Sequence, residues 1–221
     1  MRVVLKLGGR VAADAARQAR ALRGDGHEVI VVHGAGPQIT EEMERRGIAP
    51  TFVGGRRVTT AEVLDVVHGS LLDVNRAICA VLGPDAVSLS GHEIGLRAEQ
   101  VVELGLVGDP VPSAPEAVLS ALAAGQIPVV APLAAGPLNV NADEAATALA
   151  VGLGAERIVF VSDVPGVLLD GHVVAELRAD EADAMLDAGE LEGGIVPKLA
   201  AAVEAARAGV RVSIGATEVV A

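Results

Sequence analysis

The stretch RVVLKLGG, residues 2–9, decides how this chain begins to fold. Val3, Val4, Leu5 and Leu7 surround one charge, Lys6, which is typical of a buried strand that carries a functional or paired lysine. The strand runs directly into two glycines, and such turns expose backbone N–H groups to an anion. The pattern therefore predicts an anion site here, although a lysine that points to water from an edge strand remains an alternative.

Outward from this stretch, apolar runs of strand length alternate with helical stretches. We expect strands over residues 2–7, 28–32, 86–89, 127–131, 157–161 and 210–214. We expect helices over residues 12–22, 37–46, 60–82, 115–124, 141–153, 179–188 and 196–208, with hairpins in 91–115 and 167–174. This alternation predicts an α/β fold with a mainly parallel sheet covered on both faces, and with ligands at the carboxyl ends of the strands.

Composition excludes several classes of function. The 221 residues carry a net charge of −12 and include two Phe and no Tyr or Trp, so a surface that stacks nucleic-acid bases is excluded. Cys79 is the one cysteine, which rules out an intrachain disulfide and a cysteine-rich metal site. We find no secretory signal and no apolar stretch long enough to span a membrane, so we expect a cytoplasmic protein.

A second glycine-rich turn follows the second predicted strand. Residues 33–37 read His-Gly-Ala-Gly-Pro and open a helix, which directs N–H groups and the positive helix end toward an anion. Many strand-to-helix turns contain two glycines, so this motif is a moderate signal on its own. We interpret His33 as a residue that stabilises the turn rather than as a catalytic base.

Polar residues in two later segments could bind a small ligand. Arg56 and Arg57 follow Gly54-Gly55, and an arginine fork binds a carboxylate through two parallel hydrogen bonds. A solvated charge pair is the commoner explanation of such a doublet. Asn139 and Asn141 could hydrogen-bond a small polar ligand, while Asp143 lies in the first turn of the following helix. Taken alone, these residues are better explained by a helix cap with an acid that matches the helix dipole.

The second half of the chain adds two further motifs. Residues 162–166, Ser-Asp-Val-Pro-Gly, end a predicted strand and also suit a plain turn. Residues 193–198, Gly-Gly-Ile-Val-Pro-Lys, place Lys198 in the first turn of a helix, where the helix dipole disfavours a cation. A lysine at that position indicates a bound anion that offsets this cost.

These motifs, in this order, resemble those of the acetylglutamate kinases of the amino acid kinase family over nearly the whole chain. The resemblance implies an open αβα sandwich with two lobes: residues 1–154 would bind the acyl amino acid and form a homodimer, and residues 155–221 would bind ATP. It also implies phosphorylation of the side-chain carboxylate of N-acetyl-L-glutamate, a step of arginine biosynthesis, with ATP and Mg²⁺. The metal would be held mainly by the nucleotide phosphates.

The resemblance also implies roles for individual residues. Lys6 and Lys198 would stabilise the transferring phosphoryl group, and Asp143 would organise both lysines. Substrate contacts would come from Ala35, Gly36, Arg57 and Asn139. The nucleotide would be contacted by Gly8, Gly9, Asp163, Val164, Pro165, Gly166, Val167 and Leu168, with residues 190–192 close by.

The chain departs from the family pattern at four places. Ala35 stands where glycine is usual, Arg56 follows Gly55 where leucine is usual, and residues 90–93 replace a loop that normally contains Gly-Asp. After Ile214 the family normally has a further helix and strand. They do not follow Ile214 here, so we expect a shortened nucleotide lobe.

Assembly and regulation give further expectations. The first strand begins at Arg2, which leaves no room for the mobile N-terminal helix of arginine-inhibited hexamers, so we expect a dimer that arginine does not inhibit. The helix over residues 60–82 is either the dimer interface or an internal core helix.

Two other functions remain open. One is a related kinase of lysine biosynthesis that acts on an aminoadipate linked to an acidic carrier protein. The acidic surface of this chain disfavours that partner. The other is a catalytically silent, nucleotide-binding regulatory subunit, which the retained Lys6, Asp143 and Lys198 disfavour.

Overall fold

A computed structural model describes residues 1–8, 12–161, 165–169, 171–191 and 193–221, with no account of the side chains of residues 12–15. The central sheet has eight strands in the order β14 (Glu176–Arg178), β16 (Thr217–Val220), β15 (Arg211–Ile214), β11 (Arg157–Val161), β1 (Arg2–Leu7), β2 (Glu28–His33), β8 (Ile127–Ala131) and β5 (Ala86–Ser90). Neighbouring strands pair in parallel except β15 and β16, which are antiparallel. The predicted α/β class, with its mainly parallel sheet, is confirmed.

Seven α-helices lie among the described residues. They are α1 (Ala12–Gly24), α2 (Gly36–Arg45), α3 (Ala61–Leu82), α4 (Glu116–Ala123), α5 (Ala142–Gly152), α6 (Ala179–Ala188) and α7 (Ile195–Arg207). Each ends within two residues of its predicted bounds, because the apolar spacing and the glycines after α1 and α5 mark the boundaries.

Smaller sheets complete the structure. A four-stranded sheet has the order β6 (Ala98–Gln100), β7 (Val107–Pro110), β10 (Leu138–Val140) and β9 (Leu133–Ala134). Two hairpins pair β3 (Phe52–Val53) with β4 (Arg56–Arg57), and β12 (Leu168–Leu169) with β13 (His172–Val173). The hairpins expected in 91–115 and 167–174 are present. Strands β3, β4, β9, β10, β14 and β16 escaped prediction because two to four residues are too short to show a period.

The alternation of side chains along β1 positions the first lysine. Val3, Leu5 and Leu7 pack into a core layer with residues of α1 and α3, whereas Val4 packs into the layer that contains α5 and α7. Lys6 lies two residues beyond Val4, so it faces α5 at the carboxyl end of the strand. Since β1 is a central strand and Lys6 is 6% exposed, the alternative of a solvent-facing lysine on an edge strand is wrong.

The chain after Ile214 turns directly into a strand of the central sheet. Gly215 has φ +55°, and a Cβ there would lie 2.4 Å from the carbonyl oxygen of Pro165, so glycine is required at this turn. Strand β16 then fills the position between β15 and β14, and its first residue, Thr217, is fully buried.

Helix α3 is amphipathic rather than internal. Its N-cap Thr60 accepts a hydrogen bond from the backbone N–H of Val63, and its buried side includes Val67, Leu71 and Ile78. Its other side is exposed, with Val81 at 41%, so the interpretation as a fully internal core helix is wrong. No described helix is both long and apolar enough to cross a bilayer.

Candidate active site

Two lysines from distant parts of the chain meet on one carboxylate. The Nζ atoms of Lys6, in β1, and Lys198, in α7, lie 2.8 Å and 3.1 Å from the same oxygen, Oδ1 of Asp143. All three residues are buried, with 6–7% of their surface exposed. The structure thus brings together the three predicted catalytic residues.

This cluster has an excess of positive charge. With both lysines protonated, one carboxylate leaves a net charge of +1 in a buried site, and such a charge favours an anionic ligand. Burial lowers the pKa of Lys6, the Asp143 carboxylate opposes that shift, and the neighbouring Lys198 lowers the pKa further. A bound phosphate would favour protonation of Lys6 in the same way that Asp143 does.

A cleft lies at the carboxyl ends of β2, β8 and β10, and β2 pairs directly with β1, the strand that carries Lys6. It encloses about 640 Å³, including solvent space at its mouth. The four predicted substrate-binding residues, Ala35, Gly36, Arg57 and Asn139, all line it, as do Asn141 and Ala142, which directly precede Asp143. The proposed substrate residues and the lysine cluster are therefore adjacent.

Arg57 is held in place without a counter-charge. Its guanidinium donates to Thr40 Oγ1 at 2.8 Å, lies 3.1 Å from Met43 Sδ and stacks 4.6 Å from the ring centre of Phe52. Within the described part of the chain, no carboxylate pairs with it. Burial lowers the pKa of Arg57, but an arginine remains protonated at neutral pH. It can therefore bind the carboxylate of a ligand.

The two helices that border the cleft begin differently. The N-cap of α5 is Asn141, whose Oδ1 accepts hydrogen bonds from the N–H groups of Asp143 and Glu144, at 2.8 and 3.4 Å. The cap interpretation is thus right for Asn141. Helix α2 has no side-chain cap at Ala35, and Ala35 and Gly36 line the cleft, where the N–H groups at a helix start can meet an anionic ligand. Ala35 has φ −140°, which explains why the usual glycine is not needed there.

His33 and Asn139 have polar partners inside the protein. His33 is fully buried, and its Nε2 lies 3.1 Å from Nδ2 of Asn75. Burial lowers the pKa of His33 to about 4, so the ring is neutral near pH 7, in agreement with a role in the turn. Asn139 donates from Nδ2 to Thr59 Oγ1 at 3.0 Å, and Thr59 donates to the carbonyl of Arg57 at 2.8 Å. Asn139 therefore supports the arginine strand as well as lining the cleft.

The predicted nucleotide-binding residues are of two kinds. Gly8 and Leu168 are accessible: a Cβ at Gly8 would meet no atom within 4 Å, and Leu168 is 47% exposed. Gly166 and Val167 instead pack against Thr217, whose Oγ1 accepts the N–H of Val167 at 2.9 Å.

The other residues predicted to contact the nucleotide either lie exposed at the surface or fall outside the described part of the chain. Pro165 and Glu190 are exposed at the surface. Gly9, Asp163, Val164 and Glu192 lie outside the described residues.

Arg56 has partners that sequence reasoning did not anticipate. It forms ion pairs with Asp109 in β7 and with Glu144 in α5, the latter at 2.7 Å. Burial raises the pKa of Glu144, and Arg56 opposes that shift. Of the two adjacent arginines, Arg57 remains available for a ligand while Arg56 is already neutralised. The doublet by itself does not distinguish them, whereas the family resemblance implied Arg57 as the substrate residue.

The donor set does not favour a metal held by the protein alone. The described residues contain no group of three or more His, Cys, Asp or Glu side chains that could hold an ion. Asp143, the acid at the centre of the site, uses its Oδ1 to bind both lysines.

The chain is similar to known proteins over most of its length. Residues 1–216 match the model of the amino acid kinase family. An acetylglutamate kinase from Frankia casuarinae is 42% identical over 94% of this chain, and the match spans 64% of that relative's length. Acetylglutamate kinases from Saccharopolyspora erythraea and Pelotomaculum thermopropionicum are 42% and 34% identical, and 77% and 82% of their lengths are matched.

Solved structures share the same fold. The protein smu.665 from Streptococcus mutans superimposes with a TM-score of 0.91 at 28% identity, over 99% of this chain and 98% of that one. An N-acetylglutamate synthase from Neisseria gonorrhoeae has a TM-score of 0.85 at 24% identity, over 100% of this chain and 59% of that one. The second likeness concerns the fold alone.

Proposed function

This chain belongs to the amino acid kinase family, and we infer that it acts as an acetylglutamate kinase in arginine biosynthesis. It transfers the γ-phosphoryl group of ATP to the side-chain carboxylate of N-acetyl-L-glutamate. The observation that carries this proposal is the buried contact of two lysines, Lys6 and Lys198, with one carboxylate, Asp143. Beside it lies a cleft lined by Arg57, which pairs with no carboxylate of the described residues.

The reaction needs charge stabilisation rather than a base. The acceptor carboxylate has an ordinary pKa of about 4.3 and is ionised at neutral pH. One carboxylate oxygen forms a bond to the γ-phosphorus while the bond from that phosphorus to the bridging oxygen breaks, and ADP leaves with the electron pair. The barrier arises from two anions that approach each other. Lys6 and Lys198 reduce it by holding the equatorial oxygens of the phosphoryl group, and Asp143 keeps the two ammonium groups in position.

Arg57 and α2 orient the acceptor. Arg57 binds the α-carboxylate through its fork, and the uncapped N–H groups near Ala35 and Gly36 contact the acyl amino acid. Asn139, on the opposite wall of the cleft, binds the acetylamino group. Together these contacts direct the side-chain carboxylate toward the lysines.

The nucleotide binds to the half of the sheet built from the second lobe, residues 155–221. Strands β11, β15, β16 and β14 lie on one side of β1, and the first-lobe strands lie on the other, so β1 and β11 form the boundary between the lobes. Gly8 and the segment from Pro165 to Leu168 contact the nucleotide in this proposal. Mg²⁺ bound to the phosphates supplies further charge neutralisation.

We propose that the protein is a homodimer in the cytoplasm. The cytoplasm supplies ATP. The amphipathic helix α3 has an exposed side that a second copy of the chain could cover. Light scattering at several protein concentrations tests the dimer. A monomer at all concentrations would contradict it.

A coupled assay for ADP formation tests the activity. Acetylglutamate, glutamate, aspartate and carbamate are offered separately with Mg-ATP. We expect turnover with acetylglutamate far above the other three. An aminoadipate presented on its carrier protein tests the lysine-pathway alternative, and no turnover with any acceptor, despite ATP binding, would indicate the silent regulatory subunit.

A further inference from the structure

The β3–β4 hairpin extends its two arginines to different sides of the cleft. Arg57 reaches Thr40 and Met43 in α2, whereas Arg56 reaches Asp109 in β7 and Glu144 in α5. Neighbouring residues of a strand point to opposite faces, so one hairpin can bridge both walls in this way. The hairpin is thus tied to the cleft by one arginine on each side.

We propose that Arg56 is a positioning residue for the acyl-amino-acid site: its two ion pairs hold the hairpin across the cleft and so fix where Arg57 meets the substrate carboxylate. This inference rests on the proposed function, in which Arg57 binds that carboxylate. Arg56 also lines the cleft, but both of its terminal nitrogens donate to protein carboxylates. Its charge is thus already neutralised by the protein, which favours a positioning role over binding of the substrate carboxylate.

The hairpin has little else to hold it. Its strands contain two residues each, and Gly54 and Gly55 form the turn with φ of +55° and +77°. Phe52 and Val53 are half exposed, at 52% and 55%. A two-stranded hairpin of this length has marginal stability alone. Its position therefore depends on its side-chain contacts, of which the Arg56 ion pairs are the charged ones.

The pair with Glu144 is better protected from solvent than an ordinary surface ion pair. The Arg56 and Glu144 side chains are 27% and 20% exposed, compared with 53% for Asp109. Salt screens partly buried pairs less than exposed pairs. Glu144 also faces Asp109 and Glu204, which raise its pKa together with burial, and Arg56 is the cation that opposes them. Loss of Arg56 would leave Glu144 without its stabilising partner.

The same pair links the substrate clamp to the catalytic cluster. Glu144 directly follows Asp143 in the first turn of α5, and Asp143 holds both lysines. Arg56 therefore sets the distance between the hairpin that carries Arg57 and the helix turn that carries Asp143. The clamp is thereby held in its binding position before the acyl amino acid arrives, so loss of Arg56 acts mainly on substrate binding.

Steady-state kinetics of Arg56→Leu test the proposal. We expect the KM for acetylglutamate to rise roughly tenfold, as for the loss of a coupled charge pair, with kcat and the KM for ATP within about twofold of wild type. Arg56→Lys should give an intermediate KM, since one ammonium cannot reproduce a fork that spans two carboxylates. The matched control is Arg207→Leu, because Arg207 also bridges two acids, Asp180 and Asp183, far along α7. It should leave all three constants unchanged.

Hydrogen exchange of the hairpin amides gives a readout that does not need activity. Arg56→Leu should speed exchange over residues 52–58, and Arg207→Leu should not. If wild type fails to phosphorylate acetylglutamate, the proposed function is wrong, and exchange still decides whether Arg56 seats the hairpin. Unchanged exchange in Arg56→Leu overturns the proposal, even with a raised KM, which would then mean direct contact with substrate. Faster exchange with an unchanged KM in an active enzyme overturns the link to Arg57.

Discussion

Lys6 and Lys198 share one oxygen of Asp143, which leaves each ammonium group only partly neutralised. This is the arrangement that a site needs when the missing negative charge arrives with the ligand. A second carboxylate would neutralise the cluster and weaken its attraction for a phosphate. The shared oxygen therefore points to a function in binding or transfer rather than to a stabilising buried salt bridge.

Removal of either lysine should impair phosphoryl transfer. We expect Lys6→Ala and Lys198→Ala each to lower kcat by roughly a hundredfold or more, as for loss of one preorganised charge stabiliser. The measurement is the coupled assay, with circular dichroism to show that each variant is folded. A folded variant with near-normal kcat would remove that lysine from the mechanism.

Arg57 should act on the acceptor and not on the nucleotide. Arg57→Lys should raise the KM for acetylglutamate far more than the KM for ATP, because lysine cannot make two parallel hydrogen bonds to a carboxylate. Separate titrations of the two substrates measure this difference. Equal changes in both constants would show that Arg57 has a structural role, through its contacts with Thr40 and Phe52.

In the proposed mechanism, helix α5 connects stability with catalysis because its first turn carries Asp143. Its cap, Asn141, fixes that turn by accepting two N–H groups. Helix α2 has no side-chain cap, and its start at Ala35 and Gly36 lines the cleft. In the proposed function one helix end positions a side chain and the other receives a ligand, and both uses depend on N–H groups at a helix start.

Loss of the α5 cap should affect both stability and turnover. Asn141→Ala should lower the free energy of unfolding by about 1 kcal/mol and also lower kcat, because the turn that holds Asp143 loosens. Thr60→Ala, which removes the cap of α3, is the control: it should cost a similar free energy and leave kcat unchanged. Urea unfolding and the coupled assay provide the two readouts. An unchanged kcat in Asn141→Ala would separate the cap from catalysis.

His33 should make the stability of the whole protein depend on pH. Its folded pKa of about 4 lies below the ordinary value of 6.5, because burial disfavours the charged ring. Below pH 6.5 the unfolded chain binds a proton that the folded chain does not, so stability falls as pH falls from 6.5 toward 4. Between pH 7 and pH 5 this group should cost about 2 kcal/mol of stability.

Urea unfolding at pH 7 and pH 5 measures this effect. His33→Gln should lose less stability between the two pH values than wild type does, whatever its stability at pH 7. His172→Gln, in the exposed β12–β13 hairpin, should keep the wild-type dependence. The same pH dependence in His33→Gln as in wild type would show that other groups cause it.

Much of the architecture could be predicted because its signals are local. The spacing of apolar residues within one element revealed six of the eight strands of the central sheet, the seven described helices and two of the hairpin regions. Glycine turns next to Lys6 and before Lys198 indicated an anion site at strand and helix ends. The short strands gave no such signal, and β16 is an example. The residues after Ile214 predicted only a shortened nucleotide lobe, whereas in the structure they form a strand between β15 and β14.

The sequence alone established the elements, the order of the motifs and the types of residue available for chemistry, since these depend on neighbours along the chain. Tertiary structure decided which groups meet. Lys6 and Lys198 share Asp143 because β1 and α7 approach the first turn of α5 from different directions. Arg57 remains unpaired within the described residues while the adjacent Arg56 is neutralised, since a strand directs successive side chains to opposite faces. Charge balance in a buried site depends on these distances in space, and residue spacing along the chain does not encode them.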